Sequence, residues 1–578
     1  MEKSSPKIIV IGSGVAGMAA ALSAAERGAF VTMISRAEPF RSSSSRLRDG
    51  IAAALDMAGE CDSAALHAAD TIKCGDFLAH EKRVKAMCEA APGIVELLAR
   101  MGVAFERTPE GMVRLTRPGG ASRRRVASAG RGSGVHVLSA LSSQVLRAQS
   151  MERAFLMPGW EFLSLVQGEG GACCGVVAQN LRNMEIKAIA ADAVIICTGG
   201  YPAIFARHAA AAESDGAAAA ACYAQGALFA NPEFVQLTPF AIGAAGKWRA
   251  LPDAVLAEGG RAFVDKDGRP WHVLEELFPQ SQGLVPRDVA VRAIWRSMKE
   301  AAMAEGSPAK AFIDVTHLDP DFAEDQLPSF FDACEGLPGL DPLHAPVEVG
   351  PAVFATMGGL WTDEDHSTNI PGLFAAGSAA CQYHGAGIQA GNELLSSIYG
   401  GMKAGSAATA FSRGTGAAGA APSAMLNAAK SREEDVVAHI AAQEGRENAH
   451  AVARELGELL FATAGIEKDN AELKKSLAKI GELADRFSKA PLLDRSEWAN
   501  AELSFMRRMR QRLSLAKLVV AASIARDESR GSHFKPAFQN RDDAKWLVIT
   551  KATWAEDSPT LDHSERIELA TKPDERAY

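Results

Sequence analysis

The sequence holds no apolar run of the ~18 to 20 residues that a membrane span needs. Its opening, Met1-Glu-Lys-Ser-Ser-Pro6, has no apolar segment of the kind a secretory signal requires. Both absences predict a cytoplasmic chain. The nine cysteines show no CxxC spacing, which argues against a disulfide framework and against an iron–sulfur cluster held by this chain. Any electrons it handles must then come from a bound cofactor or a partner. Positive charge is also not in excess: 61 Lys and Arg against 70 Asp and Glu give a formal net charge of -9, which speaks against general nucleic-acid binding. What remains is an ordinary globular mix, 47% hydrophobic and 23% charged over 578 residues, long enough for more than one domain.

The most informative stretch begins at residue 7. Apolar Ile8 to Ile11 suit a central strand of a parallel sheet, Gly12, Gly14 and Gly17 follow in G-x-G-x-x-G spacing, and residues 18–27 form an Ala-rich helical pattern. Gly12 makes the tight turn, Gly14 lets backbone approach a pyrophosphate, and Gly17 lets helix and strand pack closely, with the diphosphate on the helix N-terminus. A second strand covers residues 30–34. A ribose-binding acid belongs where Ser35 stands, so a simple NAD reading is disfavoured. The hydroxyl-rich loop at 41–51 could supply donors to a phosphate or flavin ring.

Residues 52–110 read as packing helices. Six arginines between 114 and 131 (Arg114, Arg117, Arg123, Arg124, Arg125, Arg131) suit either an anionic substrate or acidic partner surface, or a solvated basic loop. A strand returns before Thr198-Gly-Gly200. Asp215 is placed either to bond a ribityl or ribose hydroxyl or to cap the helix that follows. From 231 to 349 short strands and Pro-rich loops indicate an inserted domain, after which Gly372-Leu-Phe-Ala-Ala-Gly377 and the helix start at Gly391-Asn-Glu-Leu-Leu395 resume the nucleotide fold. Residues 405–423, rich in Ala, Gly and Ser, read as a linker. Residues 424–526 read as antiparallel helices, and the chain from Asp527 as an irregular tail.

Taken together, Gly12-Ser-Gly-Val-Ala-Gly17, Ser35-Arg36, Thr198-Gly-Gly200, Ser214-Asp-Gly216, Glu233-Phe-Val-Gln236, Glu258-Gly-Gly260, Pro286-Arg-Asp288, Thr356-Met-Gly-Gly359, His384-Gly-Ala386 and Glu528-Ser-Arg-Gly531 resemble, in order, the flavoprotein subunit of succinate dehydrogenases and fumarate reductases. The resemblance implies an α/β fold: a Rossmann-like FAD-binding domain at 1–230 and 351–415, an inserted α+β capping domain at 231–350, a helical domain at 424–535 and a tail at 536–578. It implies an iron–sulfur partner subunit, with any membrane contact only indirect, at the inner face through partner subunits. It places Gly12, Gly14, Val15, Ala16, Gly17, Ser35, Arg36, Ser42, Ser43, Ser44, Gly50, Thr198, Gly199, Asp215, Gly377, Ser378, Asn392, Leu394 and Leu395 at FAD. Hydride would pass between flavin N5 and a carbon of a C=C bond, with Arg287 as proton donor or acceptor, Glu258 as the acid feeding it and Asp288 orienting its guanidinium.

The departures from that family carry as much information. Its flavin is tethered through a histidine where this chain has Ser43, so FAD is expected to be non-covalent. Its two histidines and one arginine that grip the substrate carboxylates are replaced by Thr238, Phe354 and Ile388. With Thr356 and His384 these would line a more apolar substrate pocket. Desolvating a carboxylate without a charged partner is very costly, so the expected substrate is an activated C=C or CH–CH compound other than succinate or fumarate. Two alternatives stay open: a flavoprotein resembling adenylylsulfate reductase, and a non-catalytic electron-relay flavoprotein within a complex.

Overall fold

The strand Lys7–Ile11 is buried on both faces, with Ile8, Ile9, Val10 and Ile11 each at most 2% exposed. Such a strand belongs in the middle of a parallel sheet. The computed structural model, which describes residues 5–244, 246–305, 309–414, 421–556, 558–570 and 572–578, places it there. The sheet order is Leu373–Ala375, Ala193–Ile196, Lys7–Ile11, Phe30–Ser35, Ala154–Pro158, parallel throughout. The chain leaves the central strand through Gly12, at φ +109°, where a Cβ would come within 2.3 Å of the Cys197 carbonyl oxygen. It then enters the helix Val15–Glu26.

The helix Asn392–Arg413 packs on that first helix. A Cβ on Gly401 would lie 2.3 Å from the carbonyl oxygen of Ala16, and one on Gly405 2.3 Å from that of Ala20. The small residues from 405 onward are therefore a close-packing stripe, which corrects the linker reading for 405–413. Residues 415–420 of that expected linker lie outside the described residues, and 423 already begins the helix Ser423–Ala441.

A six-stranded antiparallel sheet forms the second body, in the order Lys247–Ala250, Val235–Ala244, Val347–Thr356, Ala311–Asp314, Arg261–Lys266, Arg269–Trp271. Together with the helix Arg287–Glu305 it has its own core around Phe240, Val255, Ile294 and Phe330. Val347–Thr356 runs straight through residue 350, where the inserted and resumed parts are expected to join, and carries Phe354 and Thr356 back to the nucleotide fold.

The helices Ser423–Ala441, Ala449–Ala464, Asn470–Phe487 and Ala501–Ala525 follow. The segment read as a tail is integrated instead. Lys551–Thr553 pairs antiparallel with Phe229–Ala230 and with Thr560–Asp562. The reason is a fully buried ion cluster: Arg526 Nε donates to Glu233 at 2.7 Å and Nη1 to Glu528 at 2.8 Å, while Arg526 also donates to the carbonyls of Trp546 and Val548. Among the described residues no helix is long and apolar enough to cross a membrane.

Candidate active site

A cavity of about 380 Å³ starts at the glycine turn and ends under the strand Val347–Thr356. Of the residues expected at FAD, it is lined by Gly12, Gly14, Val15, Ala16, Ser35, Arg36, Ser42, Ser43, Ser44, Thr198, Gly199, Asp215, Gly377 and Ser378. Of the expected substrate residues, Phe354, Thr356, His384 and Ile388 line it. Three buried polar atoms along this wall have no partner among the described residues: Ser42 Oγ, Thr198 Oγ1 and His384 Nδ1. Burying such groups unpaired is unfavourable, so the wall presents unsatisfied hydrogen-bonding groups, together with a helix N-terminus at Gly14, to whatever fills it. That donor set fits FAD.

Asp215, which lines the cavity, is already engaged by protein donors. Its Oδ2 accepts from Arg508 at 2.6 Å and from Arg36 and Arg512 at 3.4 Å, and its Oδ1 caps the helix Ala217–Ala224 through the N–H of Ala217. Burial alone would raise its pKa, but the three guanidiniums hold it below the ordinary value. Ser43 bonds Ser214 Oγ at 2.7 Å and accepts from the N–H of Ala211 at 2.9 Å, which braces the loop.

Other expected cofactor residues act behind the wall. A Cβ on Gly17 would stand 1.9 Å from the Gly12 carbonyl oxygen, and one on Gly50, at φ +120°, 2.4 Å from that of Ala127. Asn392 is spent inward on His67 Nε2 and Thr71 Oγ1, both at 2.9 Å, and Leu394 and Leu395 are core. Thr238 is buried off the cavity, its hydroxyl 3.3 Å from the Phe240 N–H, so it is not a pocket residue. Ile388 is held from its backbone by Gln236, at 2.6 and 3.0 Å. His384 Nε2 is 2.9 Å from Ser396 Oγ, and burial pushes its pKa down to about 4, leaving a neutral ring.

The expected relay around Arg287 needs the largest correction. Arg287 Nε bonds Asp253 at 3.0 Å, Nη2 bonds Asp49 at 2.7 Å, and Nη1 bonds Glu393. Asp288 does not orient it: that carboxylate, one residue further round the helix, faces Arg292 at 3.1 Å and Arg576 at 3.0 Å. Burial pushes the Asp288 carboxyl up, yet these two cations hold it below its ordinary value. Glu258 does not feed Arg287 either. It ends the short helix Ala254–Ala257, its charged neighbours are Arg114, Arg124 and Glu106, and burial pushes its pKa up. The acid the helix does turn toward Arg287 is Asp253, five residues earlier. Burial opposes the Arg287 charge, but Asp253, Glu393 and Asp49 raise its pKa overall. The Asp49 carboxyl is pushed up to about 7 by burial and by Asp253, against the pull of Arg287. Arg287 does not line the cavity; Glu393 and Phe354, which both contact it, do.

The arginine cluster at 114–131 is largely neutralised within the fold. Arg125 is fully buried between Asp62 at 2.9 Å and Asp70 at 2.5 Å, Arg124 is 3.6 Å from Glu60, and Arg131 is 3.4 Å from Glu335. The arginines that reach the cavity are Arg36 and, from the helix Ala501–Ala525, Arg507, Arg508 and Arg510. A helical pattern alone carried no sign that this face turns toward the nucleotide fold.

Residues 7–394 match a model described as an FAD binding domain, and residues 453–578 one described as fumarate reductase flavoprotein C-term. The succinate dehydrogenase flavoprotein subunit of Bacillus subtilis is 41% identical over 550 residues, covering 95% of this chain and 94% of the relative. A fumarate reductase flavoprotein subunit of Mycobacterium tuberculosis is 31% identical over 559 residues, covering 94% of each. Among solved structures, an E. coli quinol fumarate reductase chain superposes with a TM-score of 0.91 at 26% identity, covering 100% of this chain and 99% of that one.

Proposed function

This chain belongs to the FAD-binding flavoprotein family of succinate dehydrogenases and fumarate reductases, and from that premise we propose that it acts on an activated C=C or CH–CH substrate other than succinate or fumarate. It is an FAD-dependent oxidoreductase acting on CH–CH bonds. When bound, FAD supplies two-electron hydride exchange. Held by the glycine turn, Ser42, Ser44 and Thr198, it is bound without a covalent link, because Ser43 stands at the tethering position and its hydroxyl is engaged with Ser214 and Ala211.

The observation that carries the substrate reading is the state of Arg287. Each of its three nitrogens meets a protein carboxylate, and the Phe354 ring covers one face at 4.3 Å. A ligand carboxylate entering beside Phe354 and Ile388 meets no free cation there among the described residues. A C=C bond conjugated to one uncharged carbonyl suits this wall, with Phe354 and Ile388 excluding water. The proton exchanged at the neighbouring carbon is assigned to Arg287 and its acid partners, and it reaches the cavity at Glu393. An iron–sulfur subunit is the proposed electron partner, and any membrane attachment would run through partner subunits.

The test is anaerobic reoxidation of the reduced holoprotein. An uncharged enone such as 2-cyclohexenone should restore the oxidised flavin spectrum, whereas millimolar fumarate should not. Rapid reoxidation by fumarate would overturn the reading.

A further inference from the structure

We infer that Asp49 and Glu393 are specificity determinants: two internal carboxylates that occupy the Arg287 guanidinium in the place of an anionic ligand's carboxylates, so that this end of the cavity rejects dicarboxylates and admits uncharged or cationic ones. The inference rests on the flavin-site reading above and deepens it.

A guanidinium binds a carboxylate through paired N–H groups on one edge, and that fork geometry is what makes arginine a carboxylate receptor. In this protein both edges are engaged. Asp253 takes Nε at 3.0 Å, Asp49 takes Nη2 at 2.7 Å and Glu393 takes Nη1. Asp49 is itself fixed, since its Oδ1 accepts the N–H of Asp253 at 2.8 Å. Arg48, its neighbour in sequence, is turned away to Asp332 at 2.8 Å and adds no neutralising charge. Even when Asp49 holds its proton, Asp253 and Glu393 against one guanidinium leave the cluster anionic. Glu393 is the member that lines the cavity, and it sits in the first turn of the helix Asn392–Arg413, where a negative charge is favoured. A dicarboxylate arriving at this end meets like charge and a cation with no vacant edge. Rejection by an unfavourable charge is a standard device of specificity.

The test compares wild-type holoprotein with Glu393→Gln and with the double variant Asp49→Asn, Glu393→Gln, titrating malonate and following both the flavin difference spectrum and the melting temperature. The double variant should bind malonate about tenfold tighter or more than wild type, and Glu393→Gln should fall between them. Uncharged malonamide should not discriminate among the three. Glu393→Gln keeps the length and shape of the side chain, so it serves where the double variant does not retain FAD. Equal malonate affinity in wild type and a folded, FAD-loaded variant would overturn the inference. A gain in malonate affinity in the variants, with no enone turnover by the wild-type holoprotein, would sink the reading of the substrate but leave this inference standing; enone turnover by wild type with no malonate gain in the variants would do the opposite.

Discussion

The guanidinium carbon of Arg287 lies 4.3 Å from the centroid of the Phe354 ring. The ring thus contacts both a buried cation and the cavity that Phe354 lines. A cation over an aromatic face at a desolvated site is worth about 0.5–2 kcal/mol. Phe354→Leu keeps the apolar wall but loses the quadrupole, so denaturant melts should show a loss of that size. An unchanged midpoint and slope would mean that the ring contributes only bulk.

The Asp49 carboxyl has its pKa raised from 3.8 to about 7. A raised folded-state value means that the folded protein holds a proton that the unfolded chain has released between about pH 4 and 7. This group's contribution to stability is therefore fully present below about pH 4 and lost as pH rises through about 7. Asp49→Asn cannot titrate. The melting temperature of wild type relative to Asp49→Asn should fall between about pH 5 and 8, and a difference that stays constant would contradict a proton held in this cluster.

Non-covalent FAD can be read directly from acid precipitation. Trichloroacetic acid should send the yellow colour into the supernatant. Colour retained in the pellet would mean a covalent link at a residue other than Ser43.

Gly17 has no room for a side chain, because its Cβ would sit 1.9 Å from the Gly12 carbonyl oxygen, and neither group is a flexible side-chain end. Gly17→Ala should push the helix off the strand, costing about 1–3 kcal/mol as an overpacking change. The flavin-to-protein absorbance ratio of the purified variant should fall with it. Full flavin occupancy at unchanged stability would contradict the close helix–strand contact.

Glu233 is fully buried and accepts from Arg526 at 2.7 Å and from the Thr550 hydroxyl at 2.6 Å. Removing one member of a buried ion pair typically costs about 3–5 kcal/mol. Glu233→Ala should lose stability on that scale in equilibrium unfolding, and the segment 546–553 should lose amide protection first. A loss below about 1 kcal/mol would show that Glu528 alone neutralises Arg526.

The parts of this protein that were legible in the sequence are those set by short-range backbone physics. Ile8 to Ile11 can hardly be anything but a buried strand, and Gly17 answers a steric demand from Gly12 five residues earlier, so the strand–turn–helix pattern is written locally, although the carbonyl that Gly12 must clear belongs to distant Cys197. Ser43, Phe354 and Ile388 were picked out by side-chain chemistry and do line the cavity, whereas Thr238, read in the same way, lies off it. The ion pairs were not legible. Asp49 lies 238 residues from Arg287, Glu393 lies 106 away, and Arg508 lies 293 from Asp215, whereas Asp288, adjacent in sequence to Arg287, points to different partners. A residue's type states which charge it can carry, but which charge it meets depends on how sheet, inserted body and helices are docked. By itself the sequence determined a dinucleotide site and singled out Arg287. Only the tertiary structure decided that this arginine is already met at every nitrogen by carboxylates of the protein's own.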